Sequence, residues 1–323
     1  MEVRTWIAAA LAMLAASWGS AQGAETFPTH PVRIIVGFAP GGANDIVTRI
    51  VAQKLYEIWG QTVVVDNRGG AGGNIAGELT AKSNPDGYTL FMTSGSIVTA
   101  NQHLYKRMTY NPDKDLLAIT SVASGPQIIV VNPSAPWKTV KDLISAAKAK
   151  PKSITFGSAG FGTQTHLAAE NFVYAAGIDV RHIPYKGEAP AMTDLLAGHI
   201  EFVTANLAAA IGFVTQNKLR GLAVTSKERV RQLPDVPAVA ETLPGFENLG
   251  WFGLMAPAGT PRPIIDKVQK DTLKAIQSPD VKARFDQIGM YATGNSPEQF
   301  AKDIREESRR WEKIIRERKL AID

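Results

Sequence analysis

The chain has 323 residues, of which 45% are hydrophobic and 20% charged, a composition typical of a globular protein with about two domains. Its net charge of +5 is small, and the densest charged segment, residues 305–319, mixes acids with bases. That mixture indicates a solvated helix face and argues against a nucleic-acid or membrane-binding patch. No cysteine is present, which excludes disulfides, thiolate metal ligands and cysteine nucleophiles.

The first two dozen residues have the features of a secretory signal peptide. Residues 6–18 form an apolar segment too short to span a bilayer comfortably, preceded by Arg4 and followed by small residues at 20–24. We therefore expect residues 1–24 to be a signal peptide that is cleaved near residues 21–24, and the mature protein to be exported and soluble. The alternative is an N-terminal anchor or a buried helix.

The next part of the chain alternates strands and helices. A continuous apolar strand at 32–36 leads through the glycine-rich segment GFAPGGAND, residues 37–45, into a helix that ends near residue 59. A second strand at 62–67 and a third at 86–94 also end in loops that contain glycine or serine. Because ligands of open α/β sheets bind beyond the carboxyl ends of the strands, these loops are candidates for a binding site.

The middle of the chain repeats this pattern. A strand at 153–157 is followed by a second glycine loop, GSAGFGTQT at 157–165, and by another helix. A helix that begins near Thr139 has a capping box completed by Asp142. Near the C-terminus, three segments that begin with Ser or Thr followed by Pro predict three helices with N-caps. Further strands are predicted at 125–133, 180–187, 199–206 and 220–226.

This order of elements predicts an α/β fold of two lobes, each a mixed sheet flanked by helices, with a cleft between them. The segments near 119–131 and 220–226 are interpreted as two crossover strands that connect the lobes. The first lobe is expected to comprise residues 25–125 and 223–323, and the second lobe residues 126–222. Closure of two such lobes over a ligand is a common use of this arrangement.

The motifs of common catalytic and cofactor sites are absent from the sequence. It contains no P-loop, no G-x-G-x-x-G fingerprint, no G-x-S-x-G elbow and no H-E-x-x-H pair, and its five histidines show no ligand spacing. We therefore expect no cofactor, no metal and no enzymatic activity. A hydrolase would need a nucleophile and a base close together, for example Ser158 with His166, and it is kept as an alternative.

The two glycine loops predict a site for a small carboxylate. The N-terminus of a helix has unpaired N–H groups and a partial positive charge of roughly half a unit, and glycine lets a ligand approach the backbone closely. If the loops at 37–45 and 157–165 face each other, backbone N–H groups and the hydroxyls of Ser158 and Thr163 would hold a carboxylate from both sides. The alternative is that both loops are tight turns without a ligand.

Asp45 lies where the first loop enters the helix, and two roles are open to it. Its position suits an N-cap or a first-turn acid that stabilises the helix. It would equally suit an acceptor for a ligand amine, hydroxyl or water. The sequence does not decide between these roles.

Long segments of the chain resemble one known family. The chain is similar to the Bug receptors, the substrate-binding proteins of tripartite tricarboxylate transporters, in five segments that occur in order: FPTHPVRIIVGFAPGGANDIVTRIVAQKL, VVVDNRGGAGGNIAGELTAKSNPDGYTL, FGSAGFGTQTHLAAENF, IPYKG and LRGLAVTSKERVRQLPDVPAVAETLPGFENLGWFGLMAPAGTP. The similarity extends over nearly all of the expected mature chain. It departs at Gly69, where the family often has proline, and at Glu201 and Asn206, which leaves ligand preference there open.

The resemblance implies a periplasmic, two-lobe clamshell of the type II binding-protein class that closes on a small organic carboxylate and docks transiently on membrane transporter subunits. It implies no nucleic-acid partner, and we expect a monomer. A ligand-sensing receptor for a membrane signalling partner is the alternative. The ligand-binding residues that the resemblance implies are Phe38, Ala39, Gly42 and Asp45 of the first loop, Gly157, Ser158, Gly162 and Thr163 of the second, and Ser94, Tyr185 and Asn206 at strand ends.

Overall fold

The computed structural model describes residues 27–318 and Leu320. The expected signal peptide at residues 1–24 lies outside the described residues. Within residues 27–318, no helix combines the length and the apolar character that a bilayer crossing requires.

The first part of the fold alternates strands and helices as the sequence predicts. Its elements are β1 (Val32–Val36), α1 (Ala43–Trp59), β2 (Val63–Asn67), α2 (Asn74–Ala81), β3 (Thr89–Ser94), α3 (Gly95–Thr99), α4 (Asn101–Leu104) and α5 (Pro112–Asp115). Helix α1 buries a stripe that includes Val47, Val51 and Leu55. It ends at Gly60, whose φ of +64° lets its N–H bond the Tyr56 carbonyl.

A long strand, β4 (Leu116–Val131), opens the middle of the fold. The elements that follow are α6 (Val140–Ala149), β5 (Thr155–Ser158), α7 (Gln164–Ala176), β6 (Arg181–Pro184), α8 (Glu188–Leu196), β7 (Phe202–Asn206), α9 (Leu207–Thr215) and β8 (Arg220–Val224). Helix α6 begins with the predicted capping box, in which Thr139 and Asp142 bond each other's backbone N–H.

The three predicted C-terminal helices are present. The elements are β9 (Leu249–Pro257), α10 (Arg262–Gln277), α11 (Pro279–Gln287), β10 (Tyr291–Ala292) and α12 (Pro297–Arg318). Of the three predicted caps, Ser296 accepts a hydrogen bond from the Gln299 N–H. Ser278 is the N-cap residue of α11 and Pro279 its first residue, as predicted, although the Ser278 hydroxyl donates to the Ala275 carbonyl and makes no side-chain cap bond. The prediction was wrong for Thr260, because Pro261 is the N-cap residue of α10 and the Thr260 hydroxyl donates to the Pro257 carbonyl.

Eight of the ten strands in the described chain form one path of hydrogen-bonded neighbours, in the order β2-β1-β3-β9-β4-β7-β5-β6, and β8 and β10 each pair with β4 beside it. At one end β1 is parallel to β2 and β3, and at the other end β5 is parallel to β6 and β7. In the middle, β4 is antiparallel to β9 and β7. Each half is therefore a mixed sheet, which confirms the predicted fold class.

Strand β4 belongs to both halves of the molecule. Residues 116–126 pair with β9, whereas residues 127–131 pair with β7 and β8. This agrees with the crossover strand expected near 119–131. The chain returns through residues 225–248, and at the return the Asn248 N–H bonds the Thr225 carbonyl at 2.8 Å.

The exact lobe boundaries stay a prediction. The change of pairing partners after Pro126 supports a boundary between 125 and 126. Val239, Leu243 and Phe246, which the sequence-based boundaries assign to the first lobe, pack in the same buried cluster as Phe156 of the second. This contact favours a return to the first lobe near Asn248.

The two lobes touch each other along α1, α8 and α9. One buried cluster contains Val47 of α1, Met192 of α8 and Leu207 of α9. Since α1 begins directly after the first glycine loop, this contact brings that loop against the second lobe.

Candidate functional site

Asp45 is a buried carboxylate whose oxygens accept hydrogen bonds from other groups of the protein. It lies in the first turn of α1 and is 3% exposed. One of its oxygens accepts from the Gly41 N–H and from Arg49 Nε, and the other accepts from Asn67 Nδ2, all at 3.0 Å. Burial raises the pKa of Asp45, but its hydrogen bonds, led by Arg49, outweigh burial and hold the pKa below its usual value. Asp45 therefore shapes the loop and has its acceptors engaged.

Glu188 holds the N-terminus of α1 from the opposite lobe. Its Oε2 accepts from the Ala43 N–H at 2.7 Å, and its Oε1 accepts from the N–H and Nδ2 of Asn206 at 2.6 and 2.9 Å. The side chain fits because Gly42 has no Cβ; one built there would lie 3.1 Å from Glu188 Oε2. Burial raises the pKa of Glu188, and these hydrogen bonds offset part of the rise.

Asn206 connects Glu188 to the strands between the lobes. It is the N-cap residue of α9, and its Oδ1 accepts from Gln164 Nε2 at 3.1 Å. The Oε1 of Gln164 in turn accepts from the Trp251 N–H of β9 at 3.2 Å. Asn206, predicted as a ligand contact, is thus engaged on both sides of its amide by the protein.

The second glycine loop satisfies most of its polar groups internally. The Ala159 N–H donates to Thr165 Oγ1 at 3.0 Å, and the Gly162 N–H donates to His166 Nδ1 at 3.2 Å. Thr163 caps α7, since its hydroxyl accepts from the His166 N–H at 3.3 Å and donates to the Gly160 carbonyl at 2.7 Å. Each of these groups was a candidate for binding a carboxylate, and each has a partner within the loop or helix.

Ser158 forms a hydrogen bond with His182, and none with His166 is present among the described residues. Its Oγ lies 2.7 Å from His182 Nε2, and Ser158 itself is fully buried. His182 stacks on His166 with ring centroids 4.1 Å apart, and its Nδ1 is buried without a partner. Burial and the neighbouring His166 lower the pKa of His182 to about 2. A buried serine beside a histidine that no acid orients lacks the arrangement of a hydrolase.

A cavity of ≈ 320 Å³ lies between the lobes, next to both glycine loops. Two hydrogen bonds cross the cleft beside it: the Ala39 N–H donates to the Lys186 carbonyl at 3.1 Å, and the Tyr105 hydroxyl donates to the Phe161 carbonyl at 3.0 Å. The residues that line it are Phe38, Gly70, Ala71, Gly72, Gly73, Tyr105, Ala159, Gly160, Phe161, Pro184, Tyr185 and Lys186.

Two of the predicted ligand residues, Phe38 and Tyr185, line this cavity. The Tyr185 hydroxyl donates to Asp194 Oδ2 at 2.7 Å, and burial followed by this bond raises its pKa. Ser94 ends β3 with a buried hydroxyl that has no hydrogen-bond partner among the described residues. The other predicted residues are not among those that line the cavity; they are Ala39, Gly42, Asp45, Gly157, Ser158, Gly162, Thr163 and Asn206.

Sequence reasoning missed three features of the site. The first is Glu188, whose partner Ala43 is 145 residues away in the chain. The second is the conformation of the loop after β2, which the sequence offered as a candidate by position only: in the turn at 70–73 four successive residues have positive φ, including Ala71 at 48°. The third is the aromatic lining from Tyr105 and Phe161. The GGAGG sequence signals the turn, but no local pattern signals the long-range contacts.

Metal chemistry finds no support in the arrangement of the side chains. Across residues 27–318, no three or more His, Cys, Asp or Glu side chains are grouped so that they could hold a metal ion. The cavity is lined by aromatic side chains, glycines and one lysine, which suits an organic ligand.

Two α/β lobes that share strand β4 and enclose a polar–aromatic cavity define a solute-binding protein of the periplasmic type. The chain matches the tripartite tricarboxylate transporter family receptor over residues 47–320, and it belongs to that family. The resemblance to Bug receptors is thereby confirmed: the chain is 36% identical to protein BugT of Bordetella pertussis over 296 residues, which cover 91% of each protein.

Solved structures of similar proteins have the same fold. Rpa4515 of R. palustris, determined with adipate, is 34% identical, with a TM-score of 0.88 over 91% of this chain and 99% of that protein. MatC of Rhodopseudomonas palustris, determined with bound malate, is 28% identical, with a TM-score of 0.85 over 90% of this chain and 100% of that protein.

Proposed function

We propose that the protein is an exported, periplasmic receptor that captures a small organic carboxylate in the cavity between its lobes and delivers it to the membrane subunits of a tripartite transporter. The observation that carries the proposal is the cavity of ≈ 320 Å³ that residues of both lobes line. Family membership supports the role in transport. The adipate and malate bound to the two Rhodopseudomonas proteins support a carboxylate as the ligand.

The proposal is one of binding without chemistry, by a monomer. The buried Ser158–His182 pair, in which no acid orients the histidine within residues 27–318, favours binding over hydrolysis. Of the predicted contacts, Phe38 and Tyr185 are proposed to touch the ligand directly, together with Tyr105 and Phe161. Export is proposed because residues 1–24 have the features of a signal peptide, which would be cleaved near residues 21–24.

A thermal-shift screen of the mature protein tests the proposal. The panel contains adipate, malate, matched monocarboxylates and amino acids, with phosphate and chloride as anion controls. A ligand of micromolar affinity, about −8 kcal/mol, present at about 100 to 1,000 times its Kd, stabilises the fold by roughly 3–4 kcal/mol. We expect at least one acid to raise the Tm by several degrees. If no organic acid does so, the protein is not a carboxylate receptor.

Two aromatic substitutions locate the binding site. Phe161 lines the cavity, so Phe161→Ala should weaken binding of the stabilising acid by about tenfold or more. Tyr174 is 69% exposed and does not line the cavity, so Tyr174→Ala should leave affinity unchanged. Equal effects of the two substitutions would place the ligand elsewhere.

A further inference from the structure

Glu188 is a buried acid that forms no ion pair with a basic residue in the part of the chain that the structure describes. It is 5% exposed, and its three hydrogen-bond donors are two backbone N–H groups and one side-chain amide. A buried carboxylate is costly unless groups with positive charge or dipole surround it. Here the N-termini of α1 and α9 provide that environment, because Ala43 begins α1 and Asn206 caps α9.

The N-terminus of α1 is therefore occupied by the protein's own carboxylates. Asp45 bonds the Gly41 N–H from within the first turn, and Glu188 bonds the Ala43 N–H from the other lobe. This is the position at which a carboxylate of a ligand was expected from the sequence. With both acids in place, the helix end offers little positive potential to a further anion.

The cavity between the lobes has one charged residue among the described residues that line it, Lys186, which precedes Glu188 by two residues. Its side chain is exposed at the rim, and its ammonium has no hydrogen-bond or ion-pair partner within the described part of the chain. The remaining lining includes the aromatic rings of Phe38, Tyr105, Phe161 and Tyr185. One cation beside an aromatic enclosure suits an acid with a single carboxylate and an apolar body.

We propose that Glu188 makes this cleft selective for such monocarboxylates, because its own carboxylate occupies the place that a second carboxylate of the ligand would need. The inference rests on the proposed function and names its ligand class. It assigns Glu188 as the specificity-determining residue, with Lys186 as the partner of the ligand carboxylate.

Removal of the internal carboxylate provides a direct test that needs no natural ligand. Glu188→Ala deletes a CH₂–COO⁻ group and leaves the Ala43 and Asn206 donors without an acceptor. Acetate has the same atoms that the substitution removes. We expect Glu188→Ala to lower the Tm and tens of millimolar acetate to restore several degrees of it, with no effect of chloride. The wild type should not respond to acetate in this way.

A matched control is available in the same lobe. Asp142 is also a first-turn acid that accepts from two backbone N–H groups, those of Lys138 and Thr139, but it is exposed. Acetate should not restore the Tm of Asp142→Ala. If acetate stabilises both variants equally, or neither, the internal-carboxylate assignment of Glu188 is overturned.

The selectivity itself is tested with acids of matched length. Two pairs of acids are used, hexanoate with adipate and benzoate with terephthalate, and the members of each pair differ in the second carboxylate. All four are titrated against wild type, Glu188→Ala and the isosteric Glu188→Gln. We expect wild type to bind the better monoacid at least tenfold more tightly than its diacid, and both variants to reduce that ratio. The Gln variant covers the case in which the Ala variant does not fold.

The outcomes separate the two proposals. If acids bind, but the ratio of monoacid affinity to diacid affinity is the same in wild type and variants, the role of Glu188 is overturned and the proposed function stays intact. Tighter binding of the diacids by wild type overturns the role as well. If no acid binds to wild type, the proposed function fails, and the selectivity falls with it, whatever acetate does to Glu188→Ala.

Discussion

Asp45 ties the first loop to the start of α1, and its replacement separates a structural role from a ligand contact. Asp45→Asn keeps the shape but removes the ion pair with Arg49, whose NH2 lies 2.9 Å from Asp45 Oδ1. It also puts the NH₂ group of the new asparagine, a hydrogen-bond donor, opposite groups that are themselves donors. We expect the free energy of unfolding to fall by about 1–3 kcal/mol, because a buried charged hydrogen bond is lost. Ligand affinity should change by less than about threefold. Urea unfolding and ligand titration measure the two quantities.

The control for this substitution is Asp142→Asn, in an exposed capping box, which should lose about 1 kcal/mol or less. A tenfold loss of affinity in Asp45→Asn, with unchanged stability, would mean instead that Asp45 contacts the ligand.

The contribution of Asp45 has a defined pH window. Its folded pKa lies below the ordinary value of 3.8, so its stabilisation is fully present above that value. It is lost as the pH falls through the lowered folded pKa, where the folded carboxylate takes up its proton. The difference in unfolding free energy between wild type and Asp45→Asn should therefore be constant at neutral pH and shrink below about pH 4. A difference that grows on acidification would contradict this assignment.

At the scale of elements, the turn at 70–73 controls how closely the lobes approach. A Cβ at Gly72 would lie 2.5 Å from the Phe161 carbonyl oxygen and 2.6 Å from the Tyr105 hydroxyl. We therefore expect Gly72→Ala to hinder closure and weaken ligand binding by at least about tenfold, roughly 1.4 kcal/mol. Isothermal titration with the stabilising acid measures the effect.

Gly60→Ala is the matched control for this substitution. Gly60 has nearly the same backbone, with φ of +64° against +61° at Gly72, but no non-neighbouring atom of the described residues lies within 4 Å of its added Cβ. Both variants should lose about 1–2 kcal/mol of stability from the left-handed backbone. Affinity should fall in Gly72→Ala alone. An equal loss of affinity in both would assign the effect to the backbone and not to closure.

Local patterns were enough to predict most of the elements. The apolar run that forms β1 and the capping box at Thr139 depend on neighbours in the sequence, and both are present. Ser278 takes the predicted N-cap position of α11, but it makes no side-chain cap bond, because α11 follows α10 directly and the Ser278 hydroxyl reaches back to the Ala275 carbonyl of the preceding helix. Pattern alone does not show which of two nearby partners a hydroxyl will choose.

The site was less predictable, because its contacts depend on the whole fold. The two glycine loops were found from sequence, and both adjoin the cavity. Their N–H groups were expected to hold a ligand, but partners within the fold engage many of them. Glu188 reaches Ala43 over 145 residues, and Ser158 pairs with His182 instead of His166. Such choices are decided by the order of strands in the sheet.

At the scale of the whole molecule, we expect ligand binding to require the lobes to separate and close. The segment from Lys186 to Ala189 lies along the first loop: Ala39 bonds the Lys186 carbonyl, and Ala43 bonds Glu188. Opening must break these bonds, and the chain crosses between the lobes at the change of pairing near Pro126 and at the Thr225–Asn248 contact. Bending at these two crossings would open the cavity while each sheet stays intact.

A disulfide across the cleft should lock the closed state. A Cβ at Gly41 would lie 3.6 Å from Ala189 Cβ, within the range of about 3.5–4.5 Å that disulfides span. The chain has no cysteine, so Gly41→Cys with Ala189→Cys introduces a single possible bridge. We expect the oxidised variant to exclude added ligand and to keep a smaller radius of gyration, measured by small-angle scattering, than the ligand-free wild type. Reduction should restore binding. The two single-cysteine variants are the controls, since Gly41→Cys has only the backbone strain at Gly41 and Ala189→Cys has only the changed side chain. Each should bind ligand in both redox states. If the oxidised protein exchanges ligand as freely as the reduced one, the cavity has an entrance that does not require the lobes to part.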